Sequence, residues 1–265
     1  MPIRKRTILF PFILIIILTL AFTNDLLFLT KSPETTATSQ HKVDRCLDGT
    51  LNKEETLNIV GLGDSLTAGV GDESKSGGYI GNLEKKLAEL NCFISIKNYS
   101  KSGYKSSDLV NKLKEDRVVS AIEEAEIVLF TIGANDLVNV LKKHKMQINK
   151  QVVEKAQKEY AKHIIKILTD IRSINEDVLI YAIGFYNPLA HIFSEQEEIH
   201  SLISTWNETT KDQVSKVDQA YFVPVDDLFT TQLERLLAED LFHPNYLGYK
   251  TIAERLLIYL QRKGE

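Results

Sequence analysis

The chain has 265 residues, 43% of them hydrophobic, enough for a sizeable core and too many for a globally disordered polymer. Its 32 Lys and Arg against 36 Asp and Glu leave a net charge of -4, which lacks the basic footprint of a nucleic-acid binder. Two cysteines, Cys46 and Cys92, are too few for a disulfide framework and match no zinc spacing; they read as two free thiols or, on an exported chain, as one disulfide.

At the N-terminus, Arg4, Lys5 and Arg6 precede a run from Ile8 to Phe22 that is apolar apart from Thr19. A helix of that length spans roughly 22 Å, short of a ~30 Å hydrocarbon core. The length suits a secretory h-region, but "LAFTND" offers no clear small-residue cleavage site, so residues 1–29 read as a signal peptide or an uncleaved signal anchor. In either case the basic flank puts the rest of the chain outside, secreted or membrane-attached through this segment. Residues 30–55, with "TKSPETTATSQHKVDR", read as a polar tether.

From about Thr56 to the C-terminus, strand-like and helix-like segments alternate. The strand candidates "LNIVGL", "FISIKNY", "EIVLFTIG", "DVLIYAIGF" and "AYFVPV" are mostly apolar on both faces, as in a parallel sheet covered by helices. Amphipathic helical patterns lie in "GYIGNLEKKLAEL", "VVEKAQKEYAKHIIKILTDIRSI" and "NYLGYKTIAERLLIYLQRK". The alternation predicts one three-layer α/β domain over residues 56–265 with a five-stranded, mainly parallel sheet. Ligands in such sheets bind beyond the carboxyl ends of the strands, and the polar clusters fall there.

"GLGDSLTAG" follows the first strand and carries Ser65, which by itself could be a turn residue, part of a phosphate cradle or a nucleophile. "NYSKSGYKSSDL" follows the second strand and carries Gly103; "GAND" follows the third and carries Asn135 and Asp136; "DLFHPN" near the C-terminus carries Asp240 and His243. A serine hydroxyl needs a base in hydrogen-bond reach, and an imidazole works best when a carboxylate holds its tautomer. Ser65, His243 and Asp240 fit those roles as a catalytic set. The backbone N–H groups of Ser65 and Gly103 and the Asn135 amide fit an oxyanion hole, in which each donor is worth roughly 3–4 kcal/mol of barrier. Glycine at 103 fits a close backbone approach to substrate. Asp64 reads as a brace for its own loop, and Asp136 as a cap on the following helix. His41, His144, His163, His191 and His200 have no such company in sequence and read as surface or packing residues. The α/β-hydrolase elbow fails because Thr67 stands where its second glycine belongs, the dinucleotide fingerprint fails at Leu66, and no G-K-[ST] P-loop is present.

With Ser65, Gly103, Asn135 and His243 in that order, the sequence resembles the GDSL or SGNH hydrolases over about Leu57 to Leu260. "GDSLTAG" is similar to the lysophospholipase, thioesterase and arylesterase branch. The resemblance implies a flavodoxin-like α/β/α fold, no metal, no organic cofactor, and ester or thioester hydrolysis through an acyl-serine. The substrate it implies is a small acyl ester or lysophospholipid. Deacetylation of a cell-wall or secreted polysaccharide is the alternative, and a catalytically silent binding module on the same fold is a second. The walls of the acyl site are expected from loops, including "GVGDESKSGGY", "LVNVLKKHKM" and "FYNPLAHIFSE", the last as an apolar cover.

Overall fold

Five short runs rich in Ile, Val, Leu and aromatic residues form the strands of a computed structural model that describes residues 39–144, 149–188, 190 and 197–262. They are β1 (Leu57–Gly63), β2 (Ile94–Asn98), β3 (Ile127–Thr131), β4 (Leu179–Ile183) and β5 (Ala220–Val223). Their order is β2-β1-β3-β4-β5, and every neighbouring pair is parallel. β3 and β4 are buried along their whole length, which is why they lack polar alternation; β2, at the edge, exposes Lys97 and Asn98.

The helices in chain order are α1 (Ser39–Leu47), α2 (Gly78–Glu89), α3 (Ser106–Lys112), α4 (Asp116–Glu123), α5 (Ala134–Lys143), α6 (Lys150–Ile174), α7 (Glu197–Val214), α8 (Asp226–Phe229), α9 (Leu233–Leu236) and α10 (Tyr246–Gln261). α1 and α2 each pack against α10, and α3, α4, α5 and α7 pack around α6. Parallel crossovers are right-handed. The chain runs outward from β1 to β2 and then reverses past β1 to β3, so these two groups cover opposite faces and give the α/β/α layering. The reversal leaves a crevice beyond the ends of β1 and β3. α6 shows how its layer is held: Tyr160, Ile164, Ile167, Leu168 and Ile171 recur at helical spacing and are buried.

Residues 39–47 correct the expected tether. They form α1, with Val43 and Cys46 buried against the domain. Lys42 pairs with Glu126 at 2.6 Å, Arg45 pairs with Glu55, and Cys46 is disulfide-bonded to Cys92. Val43, Cys46 and Leu47 do stand at helical spacing, but one turn of it in a polar stretch is too short a pattern to read as a helix. The compact unit therefore takes in the chain from Ser39 rather than from residue 56. The apolar run expected as signal or anchor lies outside the described residues, as does the rest of the tether up to residue 38. Among the described residues, no helix is long and apolar enough to cross a membrane.

The disulfide closes a loop with a sequence separation of 46. Replacing Cys92 with Ser is expected to lower stability by about 2–4 kcal/mol, and reductant is expected to do the same to the unmodified chain. Urea denaturation with and without dithiothreitol measures this; coincident midpoints would show that α1 is held without the bond.

Candidate active site

The loop carrying Ser65 begins where β1 meets β3. Gly63 has φ 111°, and a Cβ there would sit 1.9 Å from the Thr131 carbonyl oxygen, so only glycine lets the two strand ends close side by side. The Asp64 N–H donates to that same oxygen at 3.1 Å. The Asp64 side chain, read in sequence as a brace for its loop, accepts from the Leu66 N–H at 3.1 Å and from Thr131 Oγ1 at 2.7 Å. Behind it, Thr131 Oγ1 lies 2.8 Å from Thr67 Oγ1, which lies 2.7 Å from the Tyr79 hydroxyl. Thr131 has given its only proton to Asp64, so Thr67 donates to Thr131 and Tyr79 donates to Thr67. Burial pushes the Asp64 carboxyl up to about 7, against the opposing pull of Thr131 and Leu66.

Ser65, 8% exposed, meets His243 from the far end of the chain. His243 Nε2 lies 3.0 Å from Ser65 Oγ, and its Nδ1 lies 2.6 Å from Asp240 Oδ2. Asp240 Oδ1 accepts the backbone N–H groups of Phe242 and His243, both at 2.9 Å. Partial burial raises the Asp240 carboxyl, but the His243 ring and these N–H groups outweigh it and hold the group below its usual range. An ionised Asp240 accepts Nδ1–H, which leaves Nε2 free to take a proton from Ser65. The turn is held from two sides. The Tyr186 hydroxyl donates to the Phe242 carbonyl at 2.7 Å, with its ring stacked on Phe229 at 3.8 Å. Gly71, at φ 91°, lies so close that a Cβ would be 2.8 Å from His243 Cβ and 2.7 Å from the Pro244 carbonyl oxygen.

The oxyanion candidates are less uniformly arranged. Asn135, in the first turn of α5, lines the cleft at Ser65 and uses one amide N–H on the Tyr104 carbonyl at 3.0 Å, leaving the other free to donate. Among the described residues, the backbone N–H groups of Ser65 and Gly103 have no protein acceptor, whereas those of Asp64, Leu66, Thr67 and Ala68 all do. Gly103 is exposed, and an added Cβ would meet nothing within 4 Å. Its glycine is therefore explained by φ 84°, a turn conformation, and not by crowding against backbone.

Two readings made from sequence change. Asp136 does not cap its own helix: Oδ2 accepts the Ser106 N–H at 2.8 Å and Oδ1 accepts the Ser106 hydroxyl at 2.6 Å, so it holds the start of α3 instead. His163 has company after all, since its Nδ1 lies 2.8 Å from Ser106 Oγ. Neither pairing has a sequence signal, because Ser106 lies 30 positions from Asp136 and 57 from His163.

The cleft at Ser65 has an empty volume of about 630 Å³, part of it open to solvent. Its walls include Leu66, Leu137, Val138, Leu141, Phe185, Ile199, Ile203 and Phe242. The expected loop wall "GVGDESKSGGY" contributes no side chain to this lining, "LVNVLKKHKM" is mostly helix α5, and α7 adds Ile199 and Ile203, which sequence reasoning missed. Of the expected apolar cover, Phe185 and Tyr186 line the cleft, while Leu189, Ile192 and Phe193 lie outside the described residues. Among the described residues, no group of three or more His, Cys, Asp or Glu is placed to hold a metal ion.

Residues 62–251 match the model of the GDSL-like lipase/acylhydrolase family. The chain is 34% identical over 215 residues to the protein YpmR of Bacillus subtilis, covering 80% of this chain and 84% of that one. It is 28% identical over 206 residues to the spore germination lipase LipC of Bacillus licheniformis, covering 76% and 95%. The structure is similar to that of the lipase Lip_vut3 from a goat rumen metagenome, with a TM-score of 0.69, 27% identity, and coverage of 77% of this chain and 97% of that one.

The buried Asp64 makes stability depend on pH in a stated direction. Its folded-state value is raised, so between about pH 4 and pH 7 the native chain keeps a proton that the unfolded chain releases, and this group's contribution falls as pH rises through that window. Denaturation midpoints of the wild type and Asp64→Asn across pH 4–8 are expected to converge towards low pH and diverge in favour of the variant towards high pH; parallel curves would contradict this.

Proposed function

The chain belongs to the GDSL-like lipase/acylhydrolase family and is a serine ester hydrolase; on that premise we propose that it hydrolyses esters or thioesters of medium-chain acyl groups, lysophospholipids among them, through an acyl-enzyme on Ser65. The observation that carries the reading is the Ser65–His243 hydrogen bond at 3.0 Å opening onto an apolar cleft. Ser65 Oγ attacks the ester carbon while His243 Nε2 takes its proton, and Asp240 steadies the imidazolium. The oxyanion accepts hydrogen bonds from the Ser65 and Gly103 N–H groups and from the Asn135 amide. His243 then protonates the leaving group, and water repeats the sequence on the acyl-serine.

The side chains lining the cleft support an acyl chain over an acetyl group. Leu66, Leu137, Val138, Leu141, Ile199 and Ile203 together offer more apolar contact than an acetyl group has surface to fill. Each methylene buried there contributes up to about 0.8 kcal/mol, roughly fourfold in binding. The names of LipC and Lip_vut3 as lipases agree with this reading. The basic and then apolar N-terminal sequence supports placement of the enzyme beyond the membrane, where lysophospholipids and amphipathic esters are accessible.

On p-nitrophenyl esters, kcat/KM is expected to rise severalfold from acetate to octanoate, and Ser65→Ala is expected to lose kcat by at least about a thousandfold. Acetate release from acetylated glycan without turnover of octanoate would replace the acyl-ester reading with deacetylation. Failure of a fluorophosphonate to label Ser65 in folded protein would favour a silent binding module.

A further inference from the structure

We infer that Ser106, Asp136 and His163 act together as a positioning strut that sets Gly103 and Asn135 relative to each other. The inference rests on the proposed reading of those two residues as oxyanion donors. Its starting point is that Gly103 is held through backbone bonds: the Tyr104 N–H closes the turn on the Lys101 carbonyl at 3.2 Å, and the rest of the restraint comes from where that turn is anchored. The residue is exposed, has no side chain, and adopts φ 84° in open space. Its N–H direction therefore depends on anchors to either side. On the N-terminal side, the Lys101 N–H donates to the Gly63 carbonyl at 2.9 Å, fixing the segment to the end of β1. On the C-terminal side, the Tyr104 carbonyl accepts the Asn135 amide at 3.0 Å, and both the N–H and the hydroxyl of Ser106 donate to Asp136. Asn135 and Asp136 are adjacent in the first turn of α5. These three bonds tie one end of the Gly103 turn to the helix that presents the second donor.

His163, on α6, supplies the third point. The three side chains have the residue types of a catalytic triad but the opposite polarity. A carboxylate oxygen accepts, so the Ser106 hydroxyl donates its hydrogen bond to Asp136 Oδ1, and the Ser106 oxygen in turn accepts from His163 Nδ1–H. The imidazole is a donor here, not a base, and Ser106 is 0% exposed. The cluster therefore holds no activated nucleophile. What it provides is a bond from α6 through Ser106 to Asp136, which is mostly buried and raised by that burial. Loss of any member frees the Gly103 turn to shift against Asn135. Oxyanion bonds form in the transition state, so a shift lowers kcat and leaves KM alone.

The test compares Ser106→Ala, His163→Phe, His163→Gln and Asn135→Ala with wild type on one p-nitrophenyl ester, with fluorophosphonate titration counting competent sites so that misfolded protein does not enter kcat. Ser106→Ala and His163→Phe are expected to lower kcat on the order of tenfold at constant KM, and to weaken a boronic-acid transition-state analogue by the same factor. His163→Gln, whose amide can still donate to Ser106, is expected to recover most of kcat. Wild-type kcat in Ser106→Ala and His163→Phe, with Asn135→Ala impaired, would overturn the strut and leave the oxyanion reading standing. Wild-type kcat in Asn135→Ala would remove the oxyanion reading, and the strut with it.

Discussion

The hydrogen bond between His243 and Ser65 joins residues 178 positions apart, and most of the local architecture around it serves to keep its two ends in reach. Neither end is held by a long element. Ser65 lies in a turn just past β1, and His243 in a turn between α9 and α10. A pair so far apart in sequence needs each partner immobilised separately before the bond between them forms at low entropic cost. The left-handed glycines Gly63 and Gly71 let backbones come closer than any side chain would allow, the first at Thr131 and the second at His243 itself. Tyr186 and Tyr249 act at the periphery: one hydroxyl holds the Phe242 carbonyl, and the other holds the Val70 carbonyl at 2.6 Å.

Beneath the nucleophile, polarity is concentrated where an apolar core would be simpler. The donor chain from Tyr79 through Thr67 and Thr131 ends on Asp64, and every member is buried. Each hydroxyl has one proton, so the chain admits a single direction of donation and therefore a single arrangement of the loop. The cost of burying the carboxyl shows in its raised pKa. Asp240 stands in the opposite situation, lowered by its bonds to the His243 turn and partly open to solvent. Two carboxylates close to one site thus differ in ionisation tendency because one is dry and the other is well supplied with donors.

The cleft at Ser65 draws its walls from five parts of the chain: the Ser65 loop, α5, the segment after β4, α7, and the turn that carries His243. This explains why its lining was only partly readable. Leu137, Val138 and Leu141 could be seen as an apolar group near "GAND", although they belong to a helix and not to a loop. Ile199 and Ile203 stand on α7, a segment that the sequence patterns had not singled out. The tether reading failed for a related reason. α1 is polar over most of its length, and only the burial of Val43 and Cys46 and the bond to Cys92 mark it as part of the domain.

What the sequence determined by itself was local. Continuous apolar runs marked five strands, because strands buried on both faces need no polar alternation, and the motif order assigned Ser65, Asp240, His243 and Asn135 to one end of the sheet. The three-residue spacing of Asp240 and His243 already implied a self-assembled half of the site, since a single turn can close it. Tertiary structure decided everything that pairs distant residues: the wholly parallel strand order, the disulfide, the walls of the cleft, and the bond from His163 through Ser106 to Asp136. Periodicity reports which face of an element is buried but carries no record of what the buried face meets, and those meetings were settled only when the chain reversed between β2 and β3.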